Sequence, residues 1–243
     1  MAYEKYTSQL NALSYDYMKD GSINPTSCLR FTQAIGELWG FDKGFYVRDL
    51  MANGRVLMLA DSVCEFGNVG NKYEGRVVGE YWPNKAEGRL IKCSYRFTTT
   101  SGDLLFAMAN YYIVVDLKER KALYPNDLGP DIAEGLEECP VENASFNIDV
   151  DLPLTEYEKR VIRRGETDVL GHVNNTCYAA FATDTFSGKD FERGFKRMVI
   201  RYLAEIKKGE EVSIMKGEDD EKIIVKGINK AGKTSFEILF ERR

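Results

Sequence analysis

One histidine occurs in the chain, His172, and it sits in the run Thr167-Asp168-Val169-Leu170-Gly171-His172-Val173-Asn174-Asn175-Thr176-Cys177-Tyr178. A lone histidine removes mechanisms that need a pair of them, most zinc sites included, so neither metal nor cofactor is expected. Histidine is also the side-chain type that changes charge near neutral pH. Asp168, Gly171 and His172 read as a turn ahead of a helix, with Asn174 and Asn175 at the helix start. Backbone N–H groups in a first helical turn are unpaired and point outward, where they can hold the oxygen of a polarised carbonyl. Asp168 and His172 are the candidate catalytic groups, and Gly171, Asn174 and Asn175 the candidate substrate-binding ones. The same residues could instead do no more than cap the helix and satisfy local hydrogen bonds.

Such a turn needs a frame, and the chain writes one frame twice. In the first half an extended piece near 13–18 precedes Asn24-Pro25-Thr26, where proline suits a first helical turn. A helix should run to about Trp39, with Leu29, Ile35 and Leu38 at near-helical spacing and Gly40 as its stop. Val-, Tyr-, Phe- and Ile-rich runs follow at 55–66, 73–82, 90–100 and 104–116, broken by Gly67-Asn68, Pro83-Asn84 and Ser101-Gly102-Asp103, and read as antiparallel strands. The Pro-bearing stretch 123–147, with Pro125, Pro130 and Pro140, reads as a connector. The second half repeats the order: a strand near 157–163, a helix over 173–186, then strands at 195–206, 211–216, 222–229 and 235–242.

One sheet with one helix leaves apolar surface and an edge uncovered, and two copies can cover each other. The expected class is α+β, a double hotdog: two tandem domains, 1–140 and 141–243, each with a central helix wrapped by a curved antiparallel sheet. An unrelated α+β pair is the alternative.

Composition agrees with a globular protein: 44% of residues are hydrophobic and 29% charged, for a net charge of −5. A mildly acidic chain is a poor partner for nucleic acid. The start MAYEKYTSQL interrupts any apolar leader with Glu4 and Lys5, and the apolar run 104–115 is too short to span a bilayer, so a cytoplasmic protein without a membrane span is expected. Five cysteines without a C-x-x-C pair suit a reducing compartment. Basic residues outnumber acidic ones between Lys189 and Lys208, a local surface that could receive an acidic partner.

The run Gly171-His172-Val173-Asn174-Asn175-Thr176-Cys177-Tyr178 resembles the signature of acyl-acyl carrier protein thioesterases, and the double-length chain favours that family over its shorter single-hotdog relatives. Tyr202-Leu203-Ala204-Glu205-Ile206-Lys207-Lys208 is similar to the family segment that carries a catalytic glutamate, which falls on Glu205. Outside that resemblance Glu205 would read as a solvated strand carboxylate beside Lys207 and Lys208. Plant members carry asparagine where this chain has Leu170, and one plant branch carries cysteine where it has Ile206.

The resemblance implies hydrolysis of the thioester of fatty acyl-acyl carrier protein, releasing free fatty acid and ending fatty acid synthesis. A thioester needs an activated water and a held oxyanion more than a protonated leaving group. Glu205 with Asp168 would activate the water, and His172 with the N–H groups of 171–175 would hold the developing charge. The first half would house the acyl chain, with Met51, Leu57, Leu59, Phe106 and Met108 as candidate lining. The implied partner is acyl carrier protein, acidic in its recognition helix, docking near Arg193, Lys196 and Arg197, with the thioesterase a monomer (a pseudo-dimer) or a homodimer. An acyl-coenzyme A thioesterase and a non-catalytic acyl-binding hotdog are the rivals.

Overall fold

A computed structural model of the chain describes residues 4–19, 21–67, 75–128 and 134–243. The first half comprises β1 (Tyr6–Asn11), α1 (Pro25–Lys43), α2 (Val47–Ala52), β2 (Arg55–Phe66), β3 (Arg76–Pro83), β4 (Ile91–Thr98), β5 (Leu104–Asp116) and the short β6 (Lys121–Ala122). The second comprises β7 (Thr155–Val161), α3 (Asn175–Thr183), α4 (Gly188–Arg193), β8 (Phe195–Tyr202), β9 (Glu211–Glu218), β10 (Lys222–Asn229) and β11 (Thr234–Arg242). All strands join one antiparallel sheet in the order β1-β3-β4-β5-β2-β8-β11-β10-β9-β7, with β6 on β5. Each half contributes the same order read outward from the centre. The halves join where β2 pairs with β8, Asp61 opposite Arg201 and Glu65 opposite Arg197.

Strand alternation decides which side chains reach the helices. In β4 the buried Tyr95 and Phe97 point inward while Arg96 points out to Glu80. α1 and α3 pack on the inner face and on each other. Leu29, Phe31 and Ile35 of α1 and Phe181 of α3 meet Phe97, Phe106, Phe236 and Phe240 of the strands. On the outer face the seam residues Val63, Val199 and Leu239 are covered by Val141, Phe146 and Ile148. The stretch expected only to connect the halves thus also shields the strand pair that joins them.

Several boundaries differ from expectation, each for a local reason. The first strand lies at Tyr6–Asn11, and the piece expected to be extended holds a 3-10 turn, Ser14–Asp16, in which the Asp16 carboxylate accepts the Leu13 N–H at 2.8 Å. α1 runs past Gly40, whose missing side chain admits the Phe45 carbonyl oxygen to 2.7 Å of a would-be Cβ, and stops at Gly44 with φ +69°. Two short helices, α2 and α4, had no clear pattern in the sequence. The expected strand start at Tyr73 and the Asn68 break lie outside the described residues, as does Pro130.

The duplication extends to the loops before the main helices. Met18 donates its N–H to Ser22 O at 2.7 Å, and Gly21 to Met18 O at 2.9 Å; Asp168 donates to His172 O at 2.9 Å, and Gly171 to Asp168 O at 3.1 Å. Tyr17 bridges Ile23 as Thr167 bridges Val173. Asn24 and Asn174 each cap their helix by accepting the N–H of the second residue after them, at 2.9 and 3.0 Å. One backbone is therefore built twice, with Met18, Ser22 and Pro25 in the places of Asp168, His172 and Asn175.

Candidate active site

The loop carrying His172 is held by its own backbone and by Asp168. Asp168 Oδ1 accepts the Leu170 N–H at 2.8 Å and the His172 N–H at 3.3 Å, and Gly171 takes φ +78°, a conformation that suits glycine. Behind it, Glu166 O accepts the Asn174 N–H at 2.9 Å, while Arg160 grips Glu166 Oε1 with Nε at 3.1 Å and Nη2 at 3.0 Å. Asn174 spends its side-chain oxygen on the helix, accepting Thr176 N–H and the Thr176 hydroxyl at 3.0 and 2.7 Å.

Glu205 arrives from the other side. After β8 the N–H groups of Leu203 and Ala204 both bond to Ser235 O, at 2.8 and 2.9 Å. Ile206 O then accepts the Val173 N–H at 2.8 Å, and Lys207 bridges His172. The segment is pinned on both flanks, so alternation sends Ile206 into the core and Glu205 out into the cleft. Ile206 therefore occupies a core position, where a cysteine would face away from the cleft. His172 Nε2 lies 3.4 Å from Glu205 Oε2, with the imidazole 24% and the carboxylate 48% exposed. That spacing is long for a hydrogen bond and suits a pair that can admit or contact a small ligand.

Asp168, His172 and Glu205 share a cleft of about 140 Å³ with Asn175, Tyr178 and Tyr202, closed on the first-half side by Leu57 and Leu59 of β2. Burial raises the Tyr178 phenol first, and the neighbouring Cys177, Glu205 and Asp168 raise it further, so it stays a neutral hydroxyl. Burial likewise raises Tyr202, whose hydroxyl lies 3.5 Å from Asn175 O. Sequence reading assigns neither tyrosine a role, because nothing local marks them, and it places Leu57 and Leu59 only in the acyl chamber; the pairing of β2 with β8 brings these β2 residues to the cleft as well.

An accounting of the N–H groups of residues 171–175 narrows the donor set. Gly171 gives its N–H to Asp168 O, His172 to Asp168 Oδ1, Val173 to Ile206 O and Asn174 to Glu166 O. Among the described residues only the Asn175 N–H of these five is left without a partner, and Asn175 is the one that lines the cleft at the first position of the helix. Gly171 and Asn174, expected among the binding residues, are engaged in shaping the turn and capping the helix. In the first-half loop the matching N–H does not exist, since Pro25 stands there.

Leu57 links the cleft to an apolar pocket of about 50 Å³ inside the first half, lined by Trp39, Phe45, Leu50, Tyr81, Ile91, Cys93, Tyr112 and Val114. Leu57 and Leu59 also border a groove of about 490 Å³ running over Met51 and Phe41 to Leu170. Of the residues expected to line an acyl chamber, Met51, Leu57 and Leu59 stand at these walls. Phe106 and Met108 are fully buried in the core instead.

Arg193, Lys196 and Arg197 lie at the opposite end of β8 from Glu205. Arg193 Nε donates to Arg243 O at 2.6 Å and its Nη1 to Asp220 O, Lys196 pairs with Glu241 at 3.8 Å, and Arg197 donates to Ser145 O at 2.7 Å. Among the described residues no group of three or more His, Cys, Asp or Glu is placed to hold a metal, and no helix is long and apolar enough to cross a membrane.

Residues 154–241 match the family model of the acyl-ACP thioesterase C-terminal domain. In fold, the chain is similar over 98% of its length to 98% of an acyl-ACP thioesterase from Bacteroides thetaiotaomicron, with a TM-score of 0.84 at 16% identity. It is similar over 99% of its length to 96% of a putative oleoyl thioesterase from Lactobacillus plantarum (TM-score 0.81, 14% identity). A 12:0-ACP thioesterase from Umbellularia californica aligns over 98% of this chain and 97% of its own, with a TM-score of 0.80 at 14% identity. No curated protein sequence matches the chain.

Proposed function

We infer that this chain, whose residues 154–241 match the acyl-ACP thioesterase C-terminal domain, is a thioester hydrolase of that family, acting on acyl chains borne by acyl carrier protein. The observation that carries the reading is the contact of His172 Nε2 with Glu205 Oε2 at 3.4 Å, in a cleft that Asp168 and Asn175 also line.

In the mechanism we propose, the thioester carbonyl sits over Asn175, with its oxygen on the Asn175 N–H. Glu205 takes a proton from a water as the water oxygen attacks the carbonyl carbon. His172 orients the Glu205 carboxylate and the water between them, and Asp168, which also lines the cleft, holds the loop through Oδ1. The carbonyl π electrons move to oxygen, where the helix N–H stabilises the developing charge. When the intermediate collapses, the C–S bond breaks and the thiolate sulfur takes the proton from Glu205. The products are a free fatty acid and the carrier thiol.

The two halves, 1–140 and 141–243, are read as two hotdog units with one working loop. Met18, Ser22 and Pro25 stand where the second loop has its carboxylate, imidazole and free N–H, which leaves the first half to house the chain. The pocket behind Leu57 is apolar, as an alkyl chain requires. The reading carries a cytoplasmic location with it, where five cysteines free of disulfides stay reduced.

Incubation of purified protein with acyl-acyl carrier protein and with the matched acyl-coenzyme A tests the proposal. Free fatty acid should appear, with the larger specificity constant on the carrier-bound chain. Binding of the acyl chain without release would make the protein a carrier-type hotdog, and a preference for coenzyme A would reassign the handle.

A further inference from the structure

Three loops of the second half lie edge to edge, and the one that holds Asp168, Leu170 and His172 lines the cleft. Gly209 donates its N–H to Ile162 O at 2.9 Å, Ile162 donates to Glu210 O at 2.9 Å, and Lys208 donates to Gly171 O at 3.5 Å. The side chains this places together are Arg163, Arg164, Lys207 and Lys208, all exposed. The neighbouring acids have other partners: Glu166 pairs with Arg160 at 3.0 Å, Glu210 accepts the Lys207 N–H at 3.0 Å, Asp168 accepts the N–H groups of Leu170 and His172, and Glu205 faces His172. Among the described residues none of the four cations is in an ion pair. In the loop that adjoins Lys207 and Lys208 stand Val169, 98% exposed, and Leu170, 41% exposed.

An apolar centre with a charged rim is the anatomy of a protein interface, and an uncompensated cationic rim selects an acidic partner. We propose that the acidic face of acyl carrier protein docks on Arg163, Arg164, Lys207 and Lys208 around Val169 and Leu170, and that the thioester arm enters beside His172. This surface rests on the thioesterase reading above and adds the place of contact. It also displaces the surface expected from the sequence. Arg193 and Arg197 are tied to backbone carbonyls and Lys196 to Glu241. At about 3.3 Å per strand residue, Lys196 lies roughly 20 Å along β8 from Tyr202, toward the end of the strand away from the cleft. The linear run of basic residues thus divides into two ends of one strand, and only the Lys207–Lys208 end adjoins the chemistry.

The test compares Arg163→Glu/Arg164→Glu, Lys207→Glu/Lys208→Glu and Arg193→Glu/Lys196→Glu with the unaltered protein, on acyl-acyl carrier protein and on the same acyl chain as a pantetheine thioester. The first two pairs should each raise KM for the carrier-bound substrate about tenfold and leave the pantetheine ester within about twofold, with the difference shrinking in high salt. The third pair should change neither. Equal losses on both substrates, no loss on either, or a loss confined to the third pair overturns the docking proposal. Titration with holo acyl carrier protein reads the surface independently of turnover, and binding as tight to the first two pairs as to the unaltered protein overturns it as well. Absence of hydrolysis of either substrate by the unaltered protein would instead overturn the thioesterase reading, while the titration still decides the dock.

Discussion

Asn175→Pro removes the N–H of the proposed oxyanion site together with the Asn175 carboxamide, and Asn175→Ala removes the carboxamide alone. Proline lacks the N–H, yet it suits the first position of a helix, where that N–H has no intrahelical partner. The chain already contains the product of this change, for Pro25 begins α1 in the matching place. Asn174, which would precede the new proline, has φ −63° and ψ 137°; Asn24, which precedes Pro25, has φ −67° and ψ 132°. Both lie in the extended region that a residue before proline prefers. No hydrogen bond is lost, because the Asn175 N–H has none within the protein, and the stiffer unfolded chain should stabilise the fold by about 0.4–1 kcal/mol. Removing a single oxyanion donor typically lowers turnover by about 10²–10³, or roughly 3–4 kcal/mol of transition-state stabilisation. The assay pairs steady-state fatty acid release with thermal unfolding for Asn175→Pro and Asn175→Ala, the latter keeping the N–H. Activity should collapse in the proline variant while its Tm holds or rises, and the alanine variant should stay within about tenfold of the unaltered protein. Near-native turnover of Asn175→Pro would refute the assignment, and equal losses in both variants would move the effect to the side chain.

Two further perturbations test the frame. Arg242 closes the C-terminal strand onto α4, giving Asp190 Oδ1 bonds from Nε and Nη2 at 2.9 and 2.7 Å, with both residues buried. Burial alone would raise the Asp190 carboxyl, but the Ser187 hydroxyl and N–H and the Arg242 guanidinium hold it below its ordinary value. A depressed carboxyl contributes stability above the ordinary carboxylate range and loses it as pH falls through the folded value. Arg242→Met should therefore cost about 3–5 kcal/mol at neutral pH in urea unfolding. The gap between variant and parent should narrow on acidification, and a pH-independent gap would remove Asp190 from the argument. Trp39 packs on Tyr81, ring centroids 5.1 Å apart, at the pocket behind Leu57. Trp39→Ala should shift preference toward longer acyl chains by about fourfold in kcat/KM per added methylene the new space accepts, from roughly 0.8 kcal/mol of burial each, and an unchanged chain-length profile would place the alkyl chain elsewhere.

How much of this was legible in the sequence follows from how local each feature is. The turn before α3 was readable because its chemistry is written in consecutive residues: Gly171 supplies the positive φ, Asn174 the cap, and Asp168 the acceptor that folds the loop. The double order of strands was readable because alternation and turn residues recur in both halves. The division of labour among residues 171–175 was not, since it depends on Ile206 O and Glu166 O, acceptors brought in by tertiary pairing. Nor could the run from Lys189 to Lys208 be divided before β8 stretched it along the sheet. Phe106 and Met108 illustrate the same limit, being apolar strand residues that face the packed core while Leu57 faces the cavity.

The central claim is that Glu205, set against His172 at 3.4 Å, activates the water that cleaves the thioester. Single-turnover fatty acid release by Glu205→Gln, which keeps size and hydrogen-bonding reach but cannot accept a proton at neutral pH, measures it most directly. The account predicts a fall of about 10²–10⁴ with substrate binding and Tm unchanged. Release at close to the parent rate by a folded Glu205→Gln protein would contradict it.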